Sequence, residues 1–147
     1  MAQLTRIEVG GSLPHPAEAV FDLLSDYSRV DAVIDGLEPL SPIGAASGVG
    51  ARFAASITIA GHRHSVELEL SEACRPVLVT WSGLGGEDRT ITFPLAPRQQ
   101  ATDLRIVASY LAPDGLSGAL TRPLVATAVR QMAERTLRLL RQGDWLS

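Results

Sequence analysis

Four side chains in this sequence have types and settings suited to work on a small molecule: His64, Tyr110, Trp81 and Thr136. His64 lies in a strand pattern with apolar neighbours on its own side. An imidazole there can move a proton near neutral pH or donate to a ligand carbonyl. Its closeness to a hairpin turn favours the plainer alternative, a strand-end ring that reaches solvent. Tyr110 is on the apolar side of the last strand pattern, where a phenol can orient a ligand oxygen or donate to an enolate. A buried tyrosine with a structural partner is an equal alternative. Trp81 offers a flat apolar wall. Thr136 is the hydroxyl centred on the apolar face of a long helix, where bonding its own backbone one turn back is the commoner use. Arg135, at the edge of that face, can reach toward an anion but suits a solvated rim. Arg52 is best explained by pairing with Glu69 or Glu72.

Other chemistries fail on pattern. Serine, histidine and aspartate are all present, yet no nucleophile-elbow context surrounds any serine. His15, His62 and His64 lack metal-ligand spacing, and no cysteine pair supports them, so no metal is expected. Gly83-Leu84-Gly85-Gly86 precedes a strand rather than a helix, so it reads as a hairpin turn and not a phosphate cradle. Cys74 gives no sign of activation. No cofactor is expected.

Bulk properties narrow the classes further. At 147 residues the chain is expected to be a single domain, 1–147, large enough for a real core. Hydrophobic content of 46% and charged content of 20% are those of an ordinary globular protein. A formal net charge of −3 leaves no basic footprint for nucleic acid. The sole cysteine, Cys74, cannot form an internal disulfide, so the cytoplasm is the expected compartment. No apolar run reaches the roughly 18–20 residues of a membrane span, and no signal-peptide core follows Met1.

The elements that must position the four residues are mostly strands. Ile7, Val9, Gly11 and Leu13 alternate with Arg6, Glu8 and Ser12 in a first strand. Pro16 is expected at the first position of a helix over Ala17 to Ser28, followed by a second short helix from Val30 to Ile34. Leu37 to Ile43, weakened by Pro39 and Pro42, reads as an edge strand. The sharpest local signal is a hairpin from Arg52 to Glu72. Its two-residue turn is expected at Gly61-His62, with glycine first as a type II′ turn prefers. That register pairs Ile59 with His64, Ile57 with Val66, Ala55 with Leu68 and Phe53 with Leu70. One face is then apolar except for His64, the other mostly polar, as in an antiparallel sheet with one wet side.

Three more strands follow, carrying Val77, Val79 and Trp81; then Ile91, Phe93 and Leu95; then Leu104, Ile106, Ala108 and Tyr110. Pro113 to Gly118 breaks the pattern. A long amphipathic helix, Gly118 to Ser147, closes the chain, with Pro123 either in its first turn or kinking a helix that starts near Leu116. With Val125 at the centre of a face, Ala128, Val129, Met132, Thr136, Leu139 and Leu140 lie within about 60° of it. Arg130, Glu134, Arg138 and Arg141 fall on the far side.

This β-α-α-β-β-β-β-β-β-α order resembles the START-like helix-grip superfamily, and within it the polyketide cyclase/dehydratase-like group. Three stretches carry the resemblance: Pro16-Ala17-Glu18-Ala19-Val20-Phe21-Asp22-Leu23-Leu24-Ser25-Asp26, Gly48-Val49-Gly50-Ala51-Arg52-Phe53, and Arg75-Pro76 to Trp81. One departure concerns the second short helix, where that group usually carries proline and tryptophan. Here it reads Arg29-Val30-Asp31-Ala32-Val33-Ile34, which alters the mouth of the expected cavity. The resemblance implies an α+β helix-grip fold, with a curved antiparallel sheet of about seven strands around the C-terminal helix.

It also implies an internal cavity for a hydrophobic, lipid-, polyketide- or isoprenoid-like molecule. The expected lining is Phe53, Ile57, Val66 and Leu68 from the hairpin, Val79, Trp81, Phe93 and Ile106 from later strands, and Val129, Met132 and Thr136 from the helix. Binding or carriage of such a molecule is the primary expectation. A cyclase or dehydratase using His64 or Tyr110 as acid or base is the alternative, and a protein-interaction module a second alternative.

Overall fold

The chain is described by a computed structural model over residues 3–34, 36–43, 48–59, 61–84, 89–112 and 115–146, with backbone only at 3–4, 59, 84, 111–112 and 115–122. Its elements run β1 Gln3–Leu13, α1 Ala17–Leu24, β2 Leu37–Ile43, β3 Arg52–Ile59, β4 His62–Cys74, β5 Leu78–Leu84, β6 Thr90–Arg98, β7 Ala101–Ala112 and α2 Gly115–Gln142. Short 3₁₀ turns at Val30–Ala32 and Asp144–Leu146 complete it. The seven strands form one antiparallel sheet in the order β1-β7-β6-β5-β4-β3-β2, leaving β1 and β2 as its edges. The proline-bearing β2 is thus an edge strand, bulged between Pro39 and Ser41.

Local chemistry moved several boundaries. Pro16 caps α1 from outside, at φ −66° and ψ 147°, one place earlier than expected. The helix ends at Leu24, because Asp26 Oδ1 accepts from both the backbone N–H and the hydroxyl of Ser28 and turns the chain. The second short helix is a 3₁₀ turn, and Val30, Val33 and Ile34 are all buried in the main core. Its aliphatic residues therefore pack inward against the α1 end of the sheet. The Gly-rich turn expected at Gly83–Gly86 lies partly outside the described residues, as does the start of the break expected at Pro113–Gly118.

The β3–β4 register differs from the expected one by two residues. Ile59 pairs with His62, Ile57 with His64, Ala55 with Val66 and Phe53 with Leu68. Glycine holds the second place of the two-residue loop, at φ +79°, a conformation L side chains rarely adopt. Strand side chains alternate with period two, so an even slip keeps every residue on its expected face. Faces are therefore unchanged while partners are not.

Helix α2 starts earlier than expected and includes Pro123. It ends at Gln142 rather than continuing to Ser147. Gly143 ends it at φ +76°, and a Cβ there would lie 2.8 Å from the His15 ring. Trp145 then folds back into the core, its Nε1 donating to Leu140 O at 3.0 Å. His15 meets the Trp145 ring edge-on at 5.3 Å and pairs through Nε2 with Arg141 O at 3.1 Å. Among the described side chains of α2, the buried ones are Val129, Ala133, Thr136, Leu137 and Leu140, so its inner face is turned toward Ala133 and Leu137 from the Val125-centred expectation. The helix lies chiefly on β1, and bare backbone at Gly11 admits it: a Cβ there would meet Leu137 Cδ2 at 3.1 Å. Arg130, Glu134, Arg138 and Arg141 are exposed, as expected.

Candidate functional site

The inner face of the sheet differs from one end to the other. Near α1 it is solid. Trp81 is 2% exposed, donates from Nε1 to Leu24 O at 2.7 Å and meets Phe53 edge-on at 5.3 Å. Val79, Phe93 and Ile106 are fully buried beside it, with Tyr27 against Phe53 at 5.8 Å. Five of the expected lining residues, Phe53, Val79, Trp81, Phe93 and Ile106, therefore belong to the main packed core. Strand alternation explains why they face inward, and the carbonyl at the end of α1 explains why the indole is fixed.

Toward the other end the walls are less closed. Ile57, Val66, Leu68 and Ile91 on the sheet, and Val125, Ala126 and Met132 on α2, remain half-buried although they carry apolar side chains on inner faces. Val129 is 4% exposed and forms a second cluster with Ile7 and Ala108, against which Tyr110, Val125, Ala126 and Met132 pack. Of the expected lining, Val66 and Leu68 thus sit half-buried against the main core, and Met132 packs half-buried in the second cluster with Val129.

Tyr110 and Thr136 are the polar residues set among these walls. The Tyr110 hydroxyl oxygen is sealed from solvent and has no hydrogen-bond partner among the described residues. Burial pushes its phenol pKa up, so it is protonated at neutral pH. Thr136 is 1% exposed, and its Oγ1 likewise has no partner among the described residues, its own helix carbonyls included. Sequence pattern placed both residues on the inner faces; that neither hydroxyl would find a protein partner was not readable from it.

His64 stands opposite Ile57 and is exposed. Along β4, burial rises with distance from the turn: residues 61–65 are exposed, Val66 and Leu68 half-buried, and Leu70 buried. The hairpin tip therefore extends past the covered part of the sheet, which is what exposes a residue of inner-face parity. His64 and Tyr110 stand on strands three steps apart in the sheet order, about 14 Å of sheet. His62 is exposed, His15 is used by the Trp145 clasp, and no metal-holding group of His, Cys, Asp or Glu occurs among the described residues. Arg52 pairs with Glu69 at 3.3 Å, one of its two expected partners, and Arg135 is exposed. On the solvent side of β6 and β7, a shallow groove of about 330 Å³ is lined by Pro94, Leu95, Ala96, Asp103 and Arg105. Asp103 there is held below the usual carboxylate pKa, first by the Ser12 hydroxyl and then by Arg98.

Sequence reasoning missed Ala133, Leu137 and Trp145, which bury α2 and its tail. The helical spacing of Val129, Ala133, Thr136, Leu137 and Leu140 was the available signal for the first two. Trp145 beyond a glycine carried none.

No protein-family model matches the sequence, and no curated protein matches it. Solved structures do. A Thermus thermophilus protein superposes with a TM-score of 0.79 at 18% identity, covering 94% of this chain and 95% of its own. The Zhui aromatase/cyclase of Streptomyces sp. R1128 gives 0.75 at 13% identity, covering 95% and 93%. A norcoclaurine synthase of Thalictrum, bound to a transition-state analogue, gives 0.63 at 14% identity, covering 94% and 97%. This chain has the helix-grip fold. Helix-grip neighbours thus include enzymes, and a major latex-like protein of Panax ginseng is another, at a TM-score of 0.65 and 10% identity over 95% of this chain and 96% of that one. At such identities the likeness speaks for architecture alone. Among the described residues, no helix is long and apolar enough to cross a membrane.

Proposed function

We propose that this single helix-grip domain binds a hydrophobic or aromatic small molecule, lipid-, polyketide- or isoprenoid-like, between its sheet and α2. The observation that carries the reading is the half-covered inner face: Ile57, Val66 and Leu68 on the sheet and Val125 and Met132 on the helix carry apolar side chains inward without being fully buried. Apolar surface left uncovered inside a fold is what an apolar ligand completes, at roughly 25 cal/mol per Å² removed from water. Val129 and Thr136 form the adjoining helix wall. The closed core around Trp81 and Phe93 forms the floor. A cytoplasmic setting belongs to the same reading, since the sole cysteine, Cys74, has no partner for a disulfide.

A cyclase or dehydratase acting in the same place is the second reading, favoured by one observation: Tyr110 is a buried phenol that keeps its proton. It would protonate a forming enolate and regain its proton from solvent as the product leaves.

The test is a thermal scan against lipids, polyketides and quinones. A ligand at about a hundred times its Kd adds about 2.7 kcal/mol, and so raises Tm by roughly 5–10 °C. If no member of those classes raises Tm, ligand binding is the wrong reading.

A further inference from the structure

The other buried hydroxyls among the described residues are all provided for. Thr102 donates to His15 O at 2.8 Å, Thr80 reaches Glu72 and Thr92 at 3.4 and 3.3 Å, and Ser56 accepts from Arg63 Nε at 2.6 Å. The indole N–H groups of Trp81 and Trp145 each have a backbone carbonyl. Against that pattern, the buried side-chain polar atoms left without a partner among the described residues are Tyr110 Oη and Thr136 Oγ1. Tyr110 is on β7 and Thr136 on α2, two elements in contact. Tyr110 packs against the cluster of Ile7, Ala108 and Val129, as Met132 of α2 does, and Thr136 follows Met132 by one helical turn, about 6 Å along the axis.

We propose that Tyr110 and Thr136 form the polar recognition point for the ligand, their hydroxyls donating to ketone-, ester- or quinone-type oxygens of an otherwise apolar molecule. The inference rests on the ligand-binding reading above and adds what the ligand must carry. A carbonyl-type acceptor fits best: a donor-only group would leave both protein hydrogens unplaced, and a ligand hydroxyl, though it can accept them, would bring a third hydrogen in need of an acceptor. A neutral acceptor fits better than an anion. The buried polar side chains among the described residues are Ser56, Thr80, Thr102 and Thr136, none of them cationic, and an unpaired buried anion is strongly unfavourable. The Tyr110 phenol, protonated at neutral pH, has a hydrogen to give. Buried hydroxyls kept without partners lower stability, so their natural use is to be paired by something that arrives.

The experiment compares two probes of nearly the same shape, 2-acetylnaphthalene and 2-ethylnaphthalene, by displacement of 1-anilinonaphthalene-8-sulfonate from the whole chain. Wild type is expected to prefer the ketone about five- to tenfold, the value of one satisfied buried donor. In the double variant Tyr110→Phe/Thr136→Val the preference should fall to within about twofold, with the hydrocarbon bound at least as tightly as before. A thermal melt of the variant confirms folding. Equal affinity of wild type for the two probes, or a full ketone preference retained by the double variant, overturns the inference and leaves apolar binding standing. Binding of neither probe nor dye overturns both.

Discussion

The substitution Thr136→Val should stabilise this protein, although it removes a polar group from a helix interior. Its hydroxyl is buried at 1% exposure and without a partner among the described residues. Such a group carries a desolvation penalty of about 1–3 kcal/mol that no hydrogen bond returns. Valine keeps nearly the same volume, has a helix propensity close to that of threonine and replaces the oxygen by a methyl group that suits its neighbours. We expect a gain of about 1–2 kcal/mol, and at 2–4 °C per kcal/mol for a chain of this size a Tm rise of roughly 2–8 °C. Thr102 is the internal control: also buried, at 0% exposure, it donates to His15 O at 2.8 Å. The same replacement there removes a part-buried hydrogen bond to the His15 carbonyl and should lose about 1–2 kcal/mol. Urea denaturation at fixed pH reads both, with m unchanged if the native and denatured states are otherwise alike. Opposite signs at the two threonines are required. A loss at Thr136 comparable to that at Thr102 would show that Oγ1 is satisfied, and the recognition point at α2 would lose its physical basis.

Other substitutions probe the rest of the frame. Tyr110→Phe should remove an alkaline sensitivity: a phenol whose folded pKa is raised by burial stabilises fully below its ordinary value of 10.0 and loses that contribution as pH climbs through the folded value. Wild type should thus weaken relative to the variant above about pH 10, and a wild-type-minus-variant phenolate titration at 295 nm should show Tyr110 ionising late. Parallel stability curves from pH 9 to 11 would refute this. Gly36→Ala should cost more than Gly61→Ala. Both sit at positive φ, +82° and +79°, but a Cβ at Gly36 would meet Thr58 O at 2.8 Å while Gly61 faces open space. About 1 kcal/mol is expected at Gly61 and about 2–4 at Gly36, read by chemical denaturation. Trp145→Ala should lose about 3–5 kcal/mol, since it empties a core position and frees His15 and Leu140 O; a loss under about 1 kcal/mol would mean the tail does not hold the end of α2.

Strand parity was readable because it depends on local alternation alone. The inward facing of Phe53, Val79, Trp81, Phe93 and Ile106 follows from it, and survived a β3–β4 register that differed by two residues. The register itself depended on which loop position had to take a positive φ, and the sequence around Gly61 permits both placements. The rotation of α2 was not readable either. Its apolar stripe is wider than one contact face, and the bare backbone of Gly11, distant in sequence, is what admits Leu137 to the inner side. His64 shows the limit of parity. Inner-face spacing placed it among apolar neighbours, yet how far the hairpin projects beyond the helix sets its exposure.

What the amino-acid sequence determined by itself was the set of elements, the face of each strand and the apolar character of the interior, because these arise from periodicity within short segments. Tertiary structure decided which polar groups in that interior are satisfied. Trp81 finds the carbonyl of Leu24 and Thr102 that of His15, partners 57 and 87 residues away along the chain. Tyr110 and Thr136 find none among the described residues. Hydrogen-bond satisfaction depends on distances between segments remote in sequence, and so it becomes visible only once the sheet and helix have been brought together.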